Sequence, residues 1–407
     1  MKKLLAILLA LSMIVCFAAC GNKGEEATGE GNSPLAAPEI EKFEVPDDFK
    51  IGFICLHDEM STYDLNFLNG VEEIKKALEL DDSQVLVKKN IPETNDCYVA
   101  AKDLANEGCD IVFANSFGHE AFVIKAAKEF PDVQFCHATG TQAMVEKLSN
   151  YHNAFASIYE GRYLAGVVAG LKLKEMMEAD STIVPKMGYV GAYTYAEVIS
   201  GYSSFYLGAK SIVPEVTMDV QFTGSWYDVV GEKNAAEALI ARGCVLISQH
   251  ADSMGAPSAC EAAGVPNVSY NGSTYEDCPE TFLVSSRINW APYYSYIIKC
   301  VVEGKAIDTD WCGGIAEGSV VLTDVNTDAA AEGTVAKLEE VVAALKDGSV
   351  KVFDTKNFTV GGSAVTTYNV EGVGEAVVNG IFEESKLRSA PYFDLKIDGI
   401  TRLNEKF

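Results

Sequence analysis

From Lys50 onward, short apolar runs alternate with longer segments in which apolar residues recur at helical spacing. The apolar runs are typical of buried strands and lie at 50–55, 84–88, 110–114 and 133–137. Between them, the helical spacing predicts helices near 64–79, 95–107 and 119–129. Strands that alternate with helices are typical of βαβ units, so this part of the chain predicts an α/β lobe built on a parallel sheet.

Further along the chain the same alternation begins again. Strands are predicted near 187–191, 217–222, 244–249 and 267–270, and helices near 197–211, 228–242 and 254–263. Residues 282–288 then predict a strand leading back, and "WAPYYSYIIKCVVEG" predicts a helix of the first lobe. A chain that builds two lobes and returns to the first has several crossovers and a cleft between the lobes. This is the plan of periplasmic-type binding proteins and of some two-domain enzymes.

The alternation also predicts where the lobes begin and end. The first lobe is predicted to comprise 48–157 and 289–310, and the second lobe 158–288 and 311–325. Residues 326–407 form a C-terminal extension with a predicted helix near 330–346, and the pattern leaves the packing of this extension open.

The segment "ASIYEGRYLAGVVAGLKL" lies between the two predicted lobes. It is apolar over much of its length, so a membrane span is one interpretation. Glu160 and Arg162 lie inside it, however, and Gly166 and Gly170 are spaced for close helix packing. These features favour a buried helix that links the lobes.

The N-terminus has the order of charges and apolar residues that is typical of an export signal. Two lysines precede an apolar run from Leu4 to Ala19, which ends in "FAAC". This resembles a bacterial lipoprotein signal peptide, residues 1–19, cleaved before a lipid-carrying Cys20. Residues 20–47 would then be a lipid anchor and flexible tether, and the protein would sit on the extracytoplasmic face of the cell membrane. An ordinary secretory peptide and an N-terminal anchor helix are the alternatives.

The composition limits the classes of partner. The chain has 407 residues, of which 48% are hydrophobic and 22% are charged, as expected for a soluble protein of two lobes. Lys and Arg number 32 against 58 Asp and Glu, a formal net charge of −26. This charge repels nucleic acid and anionic membrane surfaces, so we expect no nucleic-acid partner and membrane attachment through the lipid anchor only. We expect a monomer.

Polar and aromatic clusters follow the predicted strands at the positions that would line a cleft. They read "HDEMSTYD", "NSFGHE", "HATG", "GAYTYAE", "TGSWYD", "SQHADS" and "YNGS". Asp64, Asp228 and Asp252 come directly before helical patterns. Each of these aspartates could cap its helix, contact a ligand, or do both.

Longer stretches carry a resemblance to a known family. From about Lys50 to Glu317, the chain resembles the basic membrane protein family of lipoprotein substrate-binding proteins, in "EGCDIVFANSFGHEAFVIKAAKEFPDVQFCHATG", "YEGRYLAGVVAG", "GYVGAYTYAEVISGYSSFYLGAKS", "SWYDVVGEKNAAEALIARG" and "SQHADS". The resemblance implies an α/β type I periplasmic-binding-protein fold, with two doubly wound parallel-sheet lobes, a hinge and an interlobe cleft. It also implies an ABC transporter permease as partner and purine nucleosides or purine bases as ligands.

In that family, one aromatic side chain from each lobe sandwiches the purine. The first-turn motif matches Thr62, Tyr63 and Asp64, and the second-lobe motif matches Ser225, Trp226 and Asp228. A purine has two flat faces for stacking and a rim of donors and acceptors, which suits aromatic rings beside Asp, Asn and Ser. The remaining candidate ligand-binding residues follow other strands and are Ser116, Phe117, His250, Asp252, Asn271 and Asn289.

The sequence departs from the family pattern at one position and leaves the ligand partly open. Several family members place a lysine near the returning strand to contact ribose, whereas this chain has Arg287, Ile288 and Asn289 there. Arg287 and Asn289 are therefore candidates for that role. Whether the ligand is a nucleoside or a free base stays open.

Other functions are less well supported by the residues. No H-x-H or H-x-x-x-H spacing and no C-x-x-C pair occurs, so we expect no metal and no cofactor. A nucleoside hydrolase would need a positioned base or nucleophile, and no G-x-S-x-G or clustered aspartate motif is present, so we predict no catalytic residue and no enzyme. A lipoprotein that senses another small molecule, such as a sugar, would look the same in sequence.

Overall fold

A computed structural model of the chain describes residues 32–405. The predicted signal peptide and the predicted lipidation site at Cys20 lie outside the described residues. Within the described part, two largely parallel sheets carry the fold, and each belongs to one lobe.

Six strands form the first sheet, and all neighbouring strands are parallel. In spatial order they are Val85–Lys88 (β2), Ile51–Ile54 (β1), Ile111–Ala114 (β3), Gln134–Ala138 (β4), Tyr151–Ala156 (β5) and Asp310–Gly313 (β11). The helices between its first five strands are Thr62–Leu78 (α1), Asn95–Asn106 (α2), Glu120–Glu129 (α3) and Ala143–Glu146 (α4), with a short 3₁₀ turn at Phe117–His119. Because β11 pairs with β5, the first lobe runs past its predicted end at residue 310.

Seven strands form the second sheet. In spatial order they are Val320–Leu322 (β12), Phe282–Ile288 (β10), Asn267–Tyr270 (β9), Leu246–His250 (β8), Lys186–Gly191 (β6), Thr217–Phe222 (β7) and Ile400–Arg402 (β17). The helices of this lobe are Ile158–Ala179 (α5), Ala196–Lys210 (α6), Val229–Ala241 (α7) and Gly255–Ala263 (α8). Only the β10 and β12 pair of this sheet is antiparallel, as expected for a strand that returns through the hinge.

The two sheets share one strand order, which confirms the predicted fold class. The first five strands of each lobe are arranged 2-1-3-4-5, the order of flavodoxin-like doubly wound sheets. The chain crosses between the lobes after β5, after β10 and after β11. After β10, helix Ala291–Val302 (α9) packs against α1 in the first lobe, as predicted. These crossings form the hinge.

Helix α5 packs against α6, and most of its residues from Ile158 to Leu173 are buried. A Cβ on Gly166 would lie 2.0 Å from the Phe205 carbonyl oxygen, and one on Gly208 would lie 2.0 Å from the Tyr163 carbonyl oxygen. Only glycine allows the two helix backbones to approach this closely. Among residues 32–405, no helix has both the length and the apolar character needed to cross a bilayer.

The C-terminal extension packs onto the second lobe. Its helix Thr334–Lys346 (α10) lies against α5, and β17 extends the sheet beside β7. Between them, the Phe353 and Phe393 rings stack at 4.1 Å, and Phe353 also contacts Tyr159 of α5 at 5.3 Å. Its other short elements are the 3₁₀ turn Thr355–Asn357 and the strands Asn369–Val370 (β13), Gly374–Glu375 (β14), Val377–Val378 (β15) and Ile381–Phe382 (β16).

The predicted flexible tether is wrong for its second half. The Leu322 amide in β12 donates to the Leu35 carbonyl at 3.0 Å, and the Ser33 hydroxyl donates to the Leu322 carbonyl at 2.8 Å. Leu35 is buried, and Lys299 of α9 pairs with Glu41 at 2.8 Å. Residues 33–47 therefore lie along the folded body, because the apolar and charged side chains in this segment have partners there.

Candidate functional site

The carboxyl ends of both sheets face a cavity of about 390 Å³, its open mouth included. From the first lobe it is lined by Leu56, His57, Tyr63, Asp64, Ser116, Phe117 and Thr139. From the second lobe it is lined by Glu197, Trp226, His250, Asp252 and Tyr270. The cavity therefore contains seven of the ten candidate residues named from the sequence.

The lobes touch each other across the cleft. The Thr62 amide donates to the Asp252 carbonyl at 2.9 Å, and the Thr62 hydroxyl contacts the same oxygen at 3.2 Å. On either side, the His57 ring lies 5.5 Å from Tyr227, and the Phe117 ring lies 5.6 Å from that of Tyr195. These contacts join first-lobe and second-lobe loops, so the cleft is closed.

Tyr63 and Asp64 begin helix α1, and local hydrogen bonds fix both. The Ser61 hydroxyl accepts from the Asp64 amide at 3.2 Å and so caps the N-terminus of α1, and it donates to the Asp64 carboxylate at 2.8 Å. Asn115 donates to the other Asp64 oxygen at 2.7 Å, and the Tyr63 hydroxyl donates to the Asn115 carbonyl at 2.7 Å. Asp64 therefore braces the loops that follow β1 and β3 and also lines the cavity.

Trp226 forms part of the opposite wall in the second lobe. Its ring is partly buried and contacts the rings of Tyr193 at 5.1 Å and Tyr195 at 6.0 Å, both close to edge-on. The Trp226 carbonyl accepts from the Asp252 amide at 2.9 Å, which fixes the backbone of the loop after β7 against that after β8. Tyr63 and Trp226 thus line one cavity from opposite lobes.

His250, Glu197 and Tyr270 form a polar cluster in the second lobe. The His250 Nε2 atom lies 3.6 Å from the Glu197 Oε1 atom, and the His250 ring lies 4.3 Å from the Tyr270 ring. Burial lowers the pKa of His250, which favours the neutral imidazole. Among the described residues, neither the His250 Nε2 atom nor the buried Tyr270 hydroxyl has a hydrogen-bond partner. Both polar atoms are available to a ligand.

The electrostatic environment of the cavity is acidic. Burial raises the pKa of Asp252 well above its usual range, and the carboxylates of Glu232, Asp64 and Glu197 raise it further. Among the described residues, neither lysine nor arginine lines the cavity. Such a site disfavours anionic ligands, because no cation would compensate the charge of a phosphate or carboxylate.

Three of the candidate residues do not line the cavity. Asp228 is exposed and caps helix α7, accepting from the amides of Val230 at 3.1 Å and Gly231 at 2.9 Å, so the capping alternative is correct for this residue. Asn289 donates to the Gly318 carbonyl at 3.1 Å, which places its amide in the hinge. Asn271 follows β9 in a left-handed conformation with φ of 66°, and it does not line the cavity.

Arg287, the other candidate for the ribose contact, also lies outside the cavity. Its guanidinium lies 3.6 Å from the Glu73 carboxylate of helix α1. This ion pair joins the second-lobe strand β10 to the first lobe beside the hinge. The geometry thus gives Arg287 a contact between the lobes.

The cavity also contains residues that were not singled out from the sequence. They are Leu56, His57, Thr139, Glu197 and Tyr270. All but Leu56 lie in the polar and aromatic clusters that follow the predicted strands, so the sequence indicates that they lie near the cleft. It does not indicate the role of each residue.

Thr139 has an unusual backbone conformation. It follows β4 with φ of 67°, which is rare for a β-branched residue, and its buried hydroxyl has no partner within residues 32–405. Glu120 stabilises this loop by accepting from the amides of Thr141 at 2.7 Å and Gln142 at 2.8 Å. The fold therefore holds a strained residue at the cavity, as is common at ligand sites.

The described part of the chain contains no cluster of metal-ligating side chains. Among residues 32–405, no group of three or more His, Cys, Asp or Glu side chains is placed to hold a metal ion. The nine cysteines of this part are free, and eight of them are buried.

Comparison with known proteins is consistent with this geometry. The family model of PnrA-like ABC transporter substrate-binding proteins, named Bmp, matches residues 56–352. A purine-binding protein of Brucella abortus (strain 2308) is 33% identical over 286 residues, which cover 69% of this chain and 76% of that protein. A Haloferax volcanii protein named as an ABC transporter glucose-binding protein is 34% identical over 216 residues, about half of each chain, at 53% and 52%.

Solved structures support the same fold. An ABC transporter solute-binding protein from Conexibacter woesei superposes with a TM-score of 0.61 at 20% identity, covering 74% of this chain and 98% of that protein. The family match spans both lobes and the cavity between them. The chain therefore belongs to the Bmp family of PnrA-like substrate-binding proteins of ABC transporters.

Proposed function

We propose that the protein is a lipid-anchored extracytoplasmic receptor that captures a purine nucleoside or purine base between its lobes and delivers it to an ABC transporter permease. The observation that carries this proposal is the composition of the cavity wall. Tyr63 and Trp226 reach the cavity from opposite lobes, and hydrogen-bonding side chains surround them. Two aromatic walls with a polar rim suit a flat heterocycle.

The charge of the cavity supports an uncharged ligand. Carboxyl groups and a neutral imidazole can bond the ring nitrogens and amino groups of a base, whereas a nucleotide would bring uncompensated phosphate charge. The Brucella relative, named as a purine-binding protein, supports the same ligand class. Tyr63, Asp64, Ser116, Phe117, Thr139, Glu197, Trp226, His250, Asp252 and Tyr270 are the proposed ligand contacts.

A sugar is the second candidate ligand, because the Haloferax relative is named as a glucose-binding protein. Aromatic rings beside carboxylates also suit a sugar, because its apolar face can stack on the rings and its hydroxyls can donate hydrogen bonds to the carboxylates. The acidic cavity suits both ligands, so glucose is titrated beside the purines.

Mass spectrometry of the ligand released from purified protein tests the proposal directly. We expect a purine nucleoside or base, and we expect calorimetric titration with adenine, adenosine, guanosine and inosine to give saturable binding while glucose gives none. Chromatography should recover the added nucleoside intact after incubation with excess protein. Binding of glucose alone would favour the sugar, and release of free base and ribose would indicate a hydrolase.

A further inference from the structure

Arg162 is a fully buried charge beneath the second-lobe wall of the cavity. It projects from helix α5, and its guanidinium donates to four oxygen atoms, those of the Ser269 carbonyl at 3.1 Å and the Ser286, Tyr189 and Ser248 hydroxyls at 3.3, 3.1 and 2.7 Å. Within residues 32–405, no ion pair joins this guanidinium to a carboxylate within 4 Å. A buried charge with neutral partners alone is unusual, so its position calls for an explanation.

The hydrogen bonds of Arg162 have a fixed direction. A guanidinium can only donate, so the Tyr189 hydroxyl must accept from Arg162. The proton of that hydroxyl is then free for another acceptor, and the His250 Nδ1 atom lies 3.4 Å away. A hydrogen bond from this hydroxyl to Nδ1 would leave the proton of the neutral imidazole on Nε2.

Helix α6 and five titratable groups surround the His250 ring. Helix α6 approaches the imidazole at Gly201, where a Cβ would lie 2.5 Å from Nδ1. The titratable groups that face the ring from the other sides are Arg162, Tyr189, Glu197, Tyr270 and, after β8, Asp252. Burial lowers the pKa of His250 and Arg162 lowers it further, while Glu197 opposes them.

The opposite nitrogen of His250 has no hydrogen-bond partner among the described residues. This Nε2 atom is buried at the cavity wall. Glu197 Oε1 lies beside it at 3.6 Å, which is too long for a hydrogen bond. A donor and a carboxylate acceptor thus stand side by side in the second-lobe wall.

We propose that Arg162 and Tyr189 are positioning residues that fix His250 as the Nε2–H tautomer, so that the cavity selects a ligand with a hydrogen-bond acceptor adjacent to a donor. This rests on the proposed function and narrows its ligand class. At the edge that carries N7, adenine has such a pair in N7 and the 6-amino group, whereas N7 and O6 of guanine are both acceptors. Guanine has such a pair only in O6 and N1–H, at its other edge. The acceptor atom of the ligand would accept a hydrogen bond from His250 Nε2–H, and the adjacent donor of the ligand would donate one to the Glu197 carboxylate.

The tautomer can be measured without any ligand. Nitrogen-15 NMR of ligand-free protein labelled at histidine distinguishes a protonated from an unprotonated ring nitrogen, and His250→Gln identifies the His250 signals by their loss. We expect wild-type His250 to carry its proton on Nε2 alone. Tyr189→Phe keeps the ring and removes the relay hydroxyl, so a second population protonated on Nδ1 should appear.

The control variants separate the relay from general packing. Tyr202→Phe removes another buried hydroxyl, from a ring 5.8 Å from that of Tyr189, and should leave the tautomer unchanged. Arg162→Met should give the same mixture as Tyr189→Phe, and Arg162→Lys, which restores a donor, should reverse it in part. If Arg162→Met fails to fold, the tautomer of His250 in Tyr189→Phe is sufficient to test the proposal.

Binding provides the second measurement. With adenine or adenosine, Tyr189→Phe should weaken affinity at least fivefold, while Tyr202→Phe should stay within twofold of wild type. The proposal is overturned if wild-type His250 carries any proton on Nδ1, or if Tyr189→Phe leaves it wholly on Nε2. It is equally overturned if the tautomer changes with no loss of affinity. A wild type that binds no purine contradicts the proposed function, and the tautomer still decides the positioning role.

Discussion

Tyr63 and Trp226 are held to different degrees. The Tyr63 hydroxyl is bonded to the Asn115 carbonyl at 2.7 Å, and its ring contacts the buried Phe67 ring edge-on at 4.8 Å. Trp226 contacts Tyr195, which is itself exposed. A ring that is already fixed loses less conformational freedom when a ligand binds, so the first-lobe wall is the preorganised half of the site.

Replacing either ring should weaken purine binding. Stacking on one aromatic ring contributes roughly 1–3 kcal/mol per base, so Tyr63→Ala and Trp226→Ala should each raise the Kd by about 5- to 150-fold. Calorimetric titration measures the loss. Tyr63→Phe, which keeps the ring and removes only the bond to Asn115, is the matched control and should stay within a few-fold of wild type.

Thermal melts without ligand distinguish stacking from packing. If Trp226→Ala lowers the melting temperature while affinity is unchanged, Trp226 is a packing residue. If both alanine variants fold normally and bind every purine tested as tightly as wild type, the sandwich is wrong.

Glu232 supports the cavity from behind. Its carboxyl accepts from the Ser253 amide at 3.1 and 3.2 Å and from the Asp228 amide at 3.1 Å, so it joins the loops after β7 and β8. It is buried, and burial raises the pKa of Glu232 from its usual value of 4.5 to about 7. The folded state therefore holds this proton more tightly than the unfolded state does.

This raised pKa predicts a pH-dependent stability. Between pH 4.5 and about 7 the folded state binds more protons than the unfolded state, so the free energy of unfolding falls as pH rises through this window, by up to about 3 kcal/mol. Glu232→Gln cannot titrate and should lose less stability between pH 5 and pH 8 in urea unfolding. Because the pKa of Asp252 is raised in the same direction, the test is the difference between the two proteins. Equal pH dependence in both would contradict the prediction.

Among the elements, the apolar strands of the βαβ units were predictable, whereas the polar strand β5 and the strands that join a sheet late in the chain were not. Strand β1 lies inside the predicted range because its four residues are all apolar or small and all buried. Strand β5 was missed because His152 and Asn153 look like loop residues, whereas they bond Gln134 Oε1 at 2.9 Å and the Ala143 amide at 2.8 Å. Edge strands such as β11 and β17 form because a distant strand offers a partner, which no local pattern contains.

The same distinction explains the candidate site. The ends of the predicted strands indicated the position of the cavity, because the carboxyl ends of parallel strands meet at one edge of a sheet. The direction of each side chain depends on its neighbours in space, which a local sequence pattern does not contain. Asn289 looked like a ligand residue, and its partner Gly318 is distant in sequence. Glu197 lies in a quoted cluster after β6, in the first turn of α6, but the pattern did not indicate that its side chain lines the cavity.

At the scale of helices, Asp228 should affect stability and leave binding intact. Its carboxylate caps α7, so Asp228→Ala should cost about 1 kcal/mol of unfolding free energy, while Asp228→Asn should retain most of the cap. Affinity for purines should stay within twofold in both variants, because Asp228 does not line the cavity. A loss of affinity as large as that of Trp226→Ala would instead make Asp228 a ligand contact.

For the whole molecule, attachment to the membrane is predicted to depend on one thiol. The run that ends in "FAAC" predicts lipid on Cys20, so cells fed a fatty-acid analogue should label the wild type. Cys20→Ala should abolish this label, and Cys16→Ala, inside the predicted signal, should retain it. Label on the Cys20→Ala protein would rule out this lipoprotein assignment.

Closure of the two lobes depends on a narrow contact beside the cavity. Thr62 bonds the Asp252 carbonyl across the cleft, and Gly272, after β9, faces the same threonine. A Cβ on Gly272 would lie 3.5 Å from Thr62 Cγ2, which is ordinary van der Waals distance. An alanine therefore fits here, whereas a much larger side chain would hold the lobes apart.

This geometry predicts that the Gly272→Trp protein binds purines poorly, because the tryptophan side chain prevents the two lobes from closing. X-ray scattering should show a larger radius of gyration than for wild type and no compaction on adding purine, and affinity should fall at least tenfold. Gly272→Ala should close and bind as wild type does, since its added methyl group only fills the existing contact. If Gly272→Trp compacts with ligand and keeps its affinity, the bonds between Thr62 and Asp252 are not part of the ligand-bound state.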